Sequence, residues 1–136
     1  MNHRAIFSFA LFLAACGGPL EYQLASTPKA PGADGQLVCE VQEGQRQTQV
    51  KLKVEHLPPP GRVTDGGTTF VAWFRKNSDT VWARVGGLQF DESARSGSFQ
   101  GSVPEIAFDF EVTAEKADAP VSPSPDVVFA QRVQKD

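Results

Sequence analysis

Histidine and cysteine are scarce in this chain of 136 residues: it holds two of each, and beyond residue 16 only His56 and Cys39 remain. That scarcity excludes much chemistry. A hydrolase triad needs a nucleophile, a base and an orienting acid. The sequence has no Gly-x-Ser-x-Gly elbow, and nothing pairs His56 with a particular serine or with Cys39. Zinc takes three or four Cys, His or acidic ligands, more than one histidine and one cysteine supply. The acids Asp65, Asp79, Asp91 and Glu92 fall in turns without the ligand spacing of a calcium loop. No glycine loop precedes a helix to cradle phosphate, so neither a nucleotide nor another cofactor is expected. An excess of cations is missing too: 13 Lys and Arg stand against 16 Asp and Glu, a net charge of −3, which disfavours nucleic acid as a partner. Helical periodicity is absent outside the first residues.

What is present begins at the N-terminus. After Arg4, the ten residues Ile6 to Ala15 carry no charge. A bilayer core needs about 20 apolar residues as a helix, so this run is too short to span. A charged start, a short apolar region and small residues at its end mark a secretory signal. The segment ends Leu13-Ala14-Ala15-Cys16, which resembles the bacterial lipobox. The resemblance implies removal of residues 1–15, lipidation of Cys16, and a lipid-anchored, extracytoplasmic protein. The other reading is an ordinary cleaved signal with Cys16 free or disulfide-bonded. Gly17 stands where lipoproteins retained at the inner membrane carry aspartate, so the resemblance favours the outer membrane in a Gram-negative cell. Loss of Arg4 leaves a mature charge of −4.

Residues 16–35, rich in Gly, Pro, Ala and Ser, read as the lipidated cysteine and a flexible tether, although Glu21 to Leu24 could add a short edge strand. From residue 36 to 136 the pattern has period two, the mark of half-buried strands. TQVKLKVEHL sets Val50, Leu52 and Val54 against Gln49, Lys51, Lys53 and Glu55, and FDFEVTAEK sets Phe108, Phe110, Val112 and Ala114 against Asp109, Glu111, Thr113 and Glu115. TTFVAWFRK and TVWARVGGLQF are apolar on both faces, as central strands would be, with a hairpin turn at Lys76 to Asp79. The strands QLVCEVQ, SGSFQGSV and DVVFAQRV complete a set of about seven, separated by loops at Pro58 to Gly61, Gly66-Gly67, Ser93 to Gly97 and Ala117 to Pro125. This predicts an all-β, antiparallel, immunoglobulin-like β-sandwich. The expected core includes Val50, Leu52, Val54, Phe70, Phe74, Phe108, Phe110, Val112 and Phe129. Phe110→Ala is then expected to cost far more than Glu111→Ala.

From about Thr68 to Val133 the order TFVAWFRK, VWARVGGLQFDE, FDFEVTAEK, a proline-rich loop and DVVFAQRV resembles the extracytoplasmic domain of anti-sigma-K-factor-like regulators. Those regulators also carry a cytoplasmic domain and a transmembrane helix, and a glycine-rich loop where this chain reads Ala-Asp-Ala-Pro-Val-Ser-Pro. The resemblance therefore implies a fold and not sigma-factor binding.

The functional expectation is a non-enzymatic interaction or structural module of the cell envelope, held to the membrane by lipid and meeting an envelope protein or a glycan. Trp73 and Trp82, with Arg75 and Arg84 beside them, are the candidate ligand-binding residues, since two indoles on a sheet face could stack a sugar; the alternative role for them is core. Cys39, in phase with Leu37 and Val41, reads as a small buried hydrophobe, and His56 as a solvated strand-end residue. The loop Ala117 to Pro125 is expected to cover the tryptophan face, with Arg75 or Arg84 stacked at its rim.

Overall fold

A computed structural model describes residues 18–117 and 119–136. Nine antiparallel strands form two sheets packed face to face. The strands are β1 (Leu20–Ala25), β2 (Asp34–Gln42), β3 (Gln47–Glu55), β4 (Thr69–Arg75), β5 (Ala83–Gly87), β6 (Gln89–Asp91), β7 (Ser96–Val103), β8 (Phe108–Glu115) and β9 (Val127–Val133). One turn of helix, α1 (Pro60–Val63), begins in the triple-proline run, where a fixed φ suits a helix start. The larger sheet has the order β1-β2-β3-β7-β6 and the smaller β5-β4-β8-β9. This is an all-β sandwich.

Register explains the core. Leu37, Leu52 and Phe99 lie directly opposite one another across β2, β3 and β7, so the alternation in each strand points one continuous apolar row inward. Facing it from the other sheet are Phe70, Ala72, Phe108, Phe110, Val112 and Phe129, all buried. Phe70 meets Phe90 edge-on at 5.3 Å, and Phe74 meets Phe108 edge-on at 6.4 Å. Every expected core residue is buried except Phe74, which is half-buried against the same cluster. Phe99 occupies space that two glycines leave: a Cβ on Gly86 or on Gly101 would come within 2.7 Å of its ring.

Three readings of the sequence are corrected. Among the described residues the strands number nine. The stretch read as a tether joins the sheet from Leu20, in keeping with the alternative of an edge strand at Glu21 to Leu24: β1 pairs with β2 from Leu20↔Cys39 to Ala25↔Asp34, and Ala30 and Ala33 are buried. Leu20, Tyr22 and Leu24 alternate inward, and Thr27 N–H donates to Val128 O at 2.9 Å, closing one margin of the sandwich. Finally, TVWARVGGLQF is not a central strand. It divides at Leu88 into β5, an edge of the smaller sheet, and β6, an edge of the larger. Leu88 is buried and its N–H donates to Phe70 O at 2.9 Å, so the apolar run serves the opposite margin, where the chain crosses between sheets.

Candidate functional site

The four candidate ligand-binding residues lie on and beside the outward face of the smaller sheet. Trp73, on β4, is completely buried, and its indole N–H donates to Thr113 Oγ1 at 2.8 Å. Thr113 in turn donates to Glu115 Oε2, which also accepts the backbone N–H of Ser124 at 2.8 Å. Ser124 Oγ donates to Ala114 O at 2.7 Å. An indole, a hydroxyl, a carboxylate and the proline-rich loop thus form one hydrogen-bonded chain on a face where the alternation of β8 alone assigns Thr113 and Glu115 to water.

Trp82 does not lie across from Trp73. It sits in the connection ahead of β5, half-buried, and the ladder places Arg84 opposite Trp73. The guanidinium carbon of Arg75 lies 4.4 Å from the centroid of the Trp82 ring, while Arg75 Nε donates to Asp109 Oδ2 at 2.9 Å. Asp109 also accepts Arg132 Nη1 at 3.2 Å, and that same nitrogen reaches Lys76 O at 2.7 Å. The two indoles therefore do not form a stacking platform: one is inside, with its N–H committed, and the other carries a cation on its ring.

The proline-rich loop meets this hydrogen-bonded chain at one end. Ser124 fastens it to Glu115, but Val121 at its middle is 98% exposed. Arg75 stacks on Trp82, away from the middle of this loop.

The same face contains Glu111, a residue whose importance the sequence did not signal. It lies between Trp73 and Ala130 in the ladder and is only 8% exposed. Burial pushes its carboxyl up to about 7 against the pull of Arg75, and the neighbouring Glu115 and Asp109 push the same way. Alternation locates Glu111 correctly on the face opposite Phe110; the expectation that it is solvated is wrong, because that face is covered.

The remaining candidates are simply placed. Cys39 is fully buried in the core and free, and desolvation pushes its thiol up to about 12, far from the thiolate needed for reactivity. His56 is exposed at the end of β3 with φ +55°, and its Nδ1 lies 2.9 Å from Asp34 Oδ1; that contact holds its pKa above the ordinary histidine value. Among the described residues no three His, Cys, Asp or Glu side chains gather around a common metal position, and no helix is long and apolar enough to cross a membrane. Cys16 and the signal segment lie outside the described residues.

The other outward face, on the larger sheet, is open. Gln23, Gln36, Lys53, Ser98 and Gln89 are ladder partners in one row across all five strands. Beside that row is a hollow of about 600 Å³ lined by Lys51, Lys53, Gln89, Ser98, Gln100 and Gly87. It exists because β6 pairs only with Ser96 to Ser98 and leaves the rest of β7 without a strand on that side. Amides, a hydroxyl and ammonium groups make this a surface for hydrogen bonding. Comparison of the chain with family models, with curated proteins and with solved structures finds no match.

Proposed function

We propose that this is a lipid-anchored, extracytoplasmic β-sandwich that acts as a non-enzymatic interaction or structural module of the cell envelope. The observation that carries the reading is the sequence Leu13-Ala14-Ala15-Cys16 placed directly ahead of a folded domain. The apolar segment stops at the cysteine, and the first strand begins at Leu20. A cysteine at that position is suited to be the first mature residue, carrying the acyl chains that hold the sandwich at a membrane.

The chemistry of the side chains supports binding over catalysis. Cys39 is inert where it sits, Glu111 is enclosed, and the open surface is the amide-rich face of the larger sheet. That face, centred on Lys53, is where the module meets an envelope partner. The strand order supports the immunoglobulin-like description. With β2, β3, β7 and β6 taken as strands A, B, E and D, and β4, β8 and β9 as C, F and G, both sheets follow that order; β5 lies beside C, and β1 is an addition outside A.

The test is membrane fractionation with radiolabelled palmitate. Wild-type chain carries label and sediments with membranes, whereas Cys16→Ser is unlabelled and leaves the membrane fraction. Label that survives Cys16→Ser contradicts the reading.

A further inference from the structure

The sandwich has two ends, and the start of β1 identifies the one that faces the anchor. Only Gly17, Gly18 and Pro19 separate Cys16 from Leu20, so the two Cα atoms are at most about 14 Å apart. A chain of contacts leads from that point across the same end of the molecule. Tyr22 Oη accepts the N–H of Gln134 at 3.2 Å, just past the end of β9. On β9, Arg132 donates to Lys76 O at 2.7 Å, which fixes the base of the turn Lys76 to Trp82 that leads into β5. The start of β1, the end of β9 and this turn therefore share one end of the sandwich, the turn displaced sideways from β9 by two to three strand spacings, about 9–14 Å.

That turn presents Val81, 88% exposed, next to the half-buried Trp82. The other large apolar side chain exposed among the described residues, Val121, is in the loop between β8 and β9, at the opposite end. An indole with an apolar body and an N–H suits the headgroup zone of a bilayer. We propose that the turn from Lys76 to Trp82 docks on the lipid surface to which Cys16 ties the domain, with Val81 and Trp82 lodged among the headgroups. This rests on the lipid-anchor reading.

A patch this small would not hold a free protein on a membrane. Tethering changes the balance, because a contact made by an already anchored domain is intramolecular, with an effective concentration near the millimolar range. The turn carries one cation, Lys76, and one anion, Asp79, and the Arg75 guanidinium on the Trp82 ring is paired with Asp109, so the charges balance and the attraction should depend little on salt. Docking would also fix the orientation of the domain instead of leaving it to swing about its anchor.

The experiment uses the full chain purified with its own lipid and reconstituted into phosphatidylcholine vesicles with or without brominated acyl chains. Tryptophan emission is expected to be quenched by the brominated lipid. The quenching is lost in Trp82→Phe, kept in Trp73→Phe, and reduced in Val81→Asp without a fall in melting temperature. Unquenched Trp82 in protein that floats with the vesicles overturns the docking and leaves the anchor standing. Protection of Trp82 from both brominated lipid and aqueous iodide in a sedimenting dimer assigns the turn to a second copy and likewise overturns it. Protein that carries no lipid and does not float overturns the anchor and the docking together.

Discussion

Trp73 donates its indole N–H to Thr113 Oγ1 at 2.8 Å, on a sheet face where the alternation of β8 would place Thr113 in water. Thr113 passes the contact on to Glu115, and Glu115 to the backbone of Ser124. Removing the hydroxyl while keeping the shape leaves a buried donor and part of a buried carboxylate unpartnered. Thr113→Val should therefore cost about 1–3 kcal/mol, the range for such loss. Denaturant titration followed by tryptophan fluorescence measures it. Wild-type stability in the variant would mean that the chain of hydrogen bonds contributes nothing.

Glu111 should make the domain less stable as pH rises. Its carboxyl is held up to about 7 in the fold, from an ordinary value of 4.5, so between those values the folded state binds more protons than the unfolded state. Stability from this group is present in full below about 4.5 and is lost as pH passes through 7; the whole effect is at most about 3 kcal/mol. His56, whose pKa is also raised, acts in the same direction at the surface. Melting temperatures between pH 5 and pH 8 test the assignment: Glu111→Gln should flatten the profile and His56→Ala should alter it only slightly. An unchanged slope in Glu111→Gln would move the dependence elsewhere.

Much of the fold was legible because alternation is a local signal. In β3 it separates Val50, Leu52 and Val54 from Lys51 and Lys53, and the structure buries the first set and exposes the second. The same signal in β8 identifies two faces but not what covers the polar one. That depends on Trp73, forty residues upstream in the chain, and on Ser124, which no local pattern links to Glu115. β1 was legible as the edge strand that Glu21 to Leu24 could form, but the Gly, Pro and Ala around it made the stretch read first as a tether. TVWARVGGLQF misled because an edge that passes between two sheets is as apolar as a central strand. Of the candidate site, the residues Trp73, Trp82, Arg75 and Arg84 do fall in one region, but their roles as core indole and stacked pair required coordinates.

Core and surface substitutions should separate sharply. Phe110 is 1% exposed, so Phe110→Ala is expected to cost about 3–5 kcal/mol. The proper surface control is Lys51→Ala, on the open face, which should change stability by less than about 0.5 kcal/mol. Comparable losses in urea unfolding would refute the placement of Phe110 in the core and of Lys51 on the open face.

The glycines around Phe99 make a second packing test. A methyl group on Gly86 would meet the Phe99 ring at 2.7 Å, and the ring has little room to retreat between the sheets. Gly86→Ala should cost about 1–3 kcal/mol, and Phe99→Leu in the same chain should recover part of it. Simple additivity of the two changes would show that they do not share a space.

A lipidated Cys16, immediately before the sandwich, is proposed as the first residue of the mature protein. The most direct measurement is the intact mass of the protein purified from membranes, with fragmentation of its N-terminal peptide. The account predicts a chain of residues 16–136 whose first residue bears acyl-glyceryl mass on its sulfur. A chain that retains Met1, or one that starts at an unmodified Cys16, would contradict it.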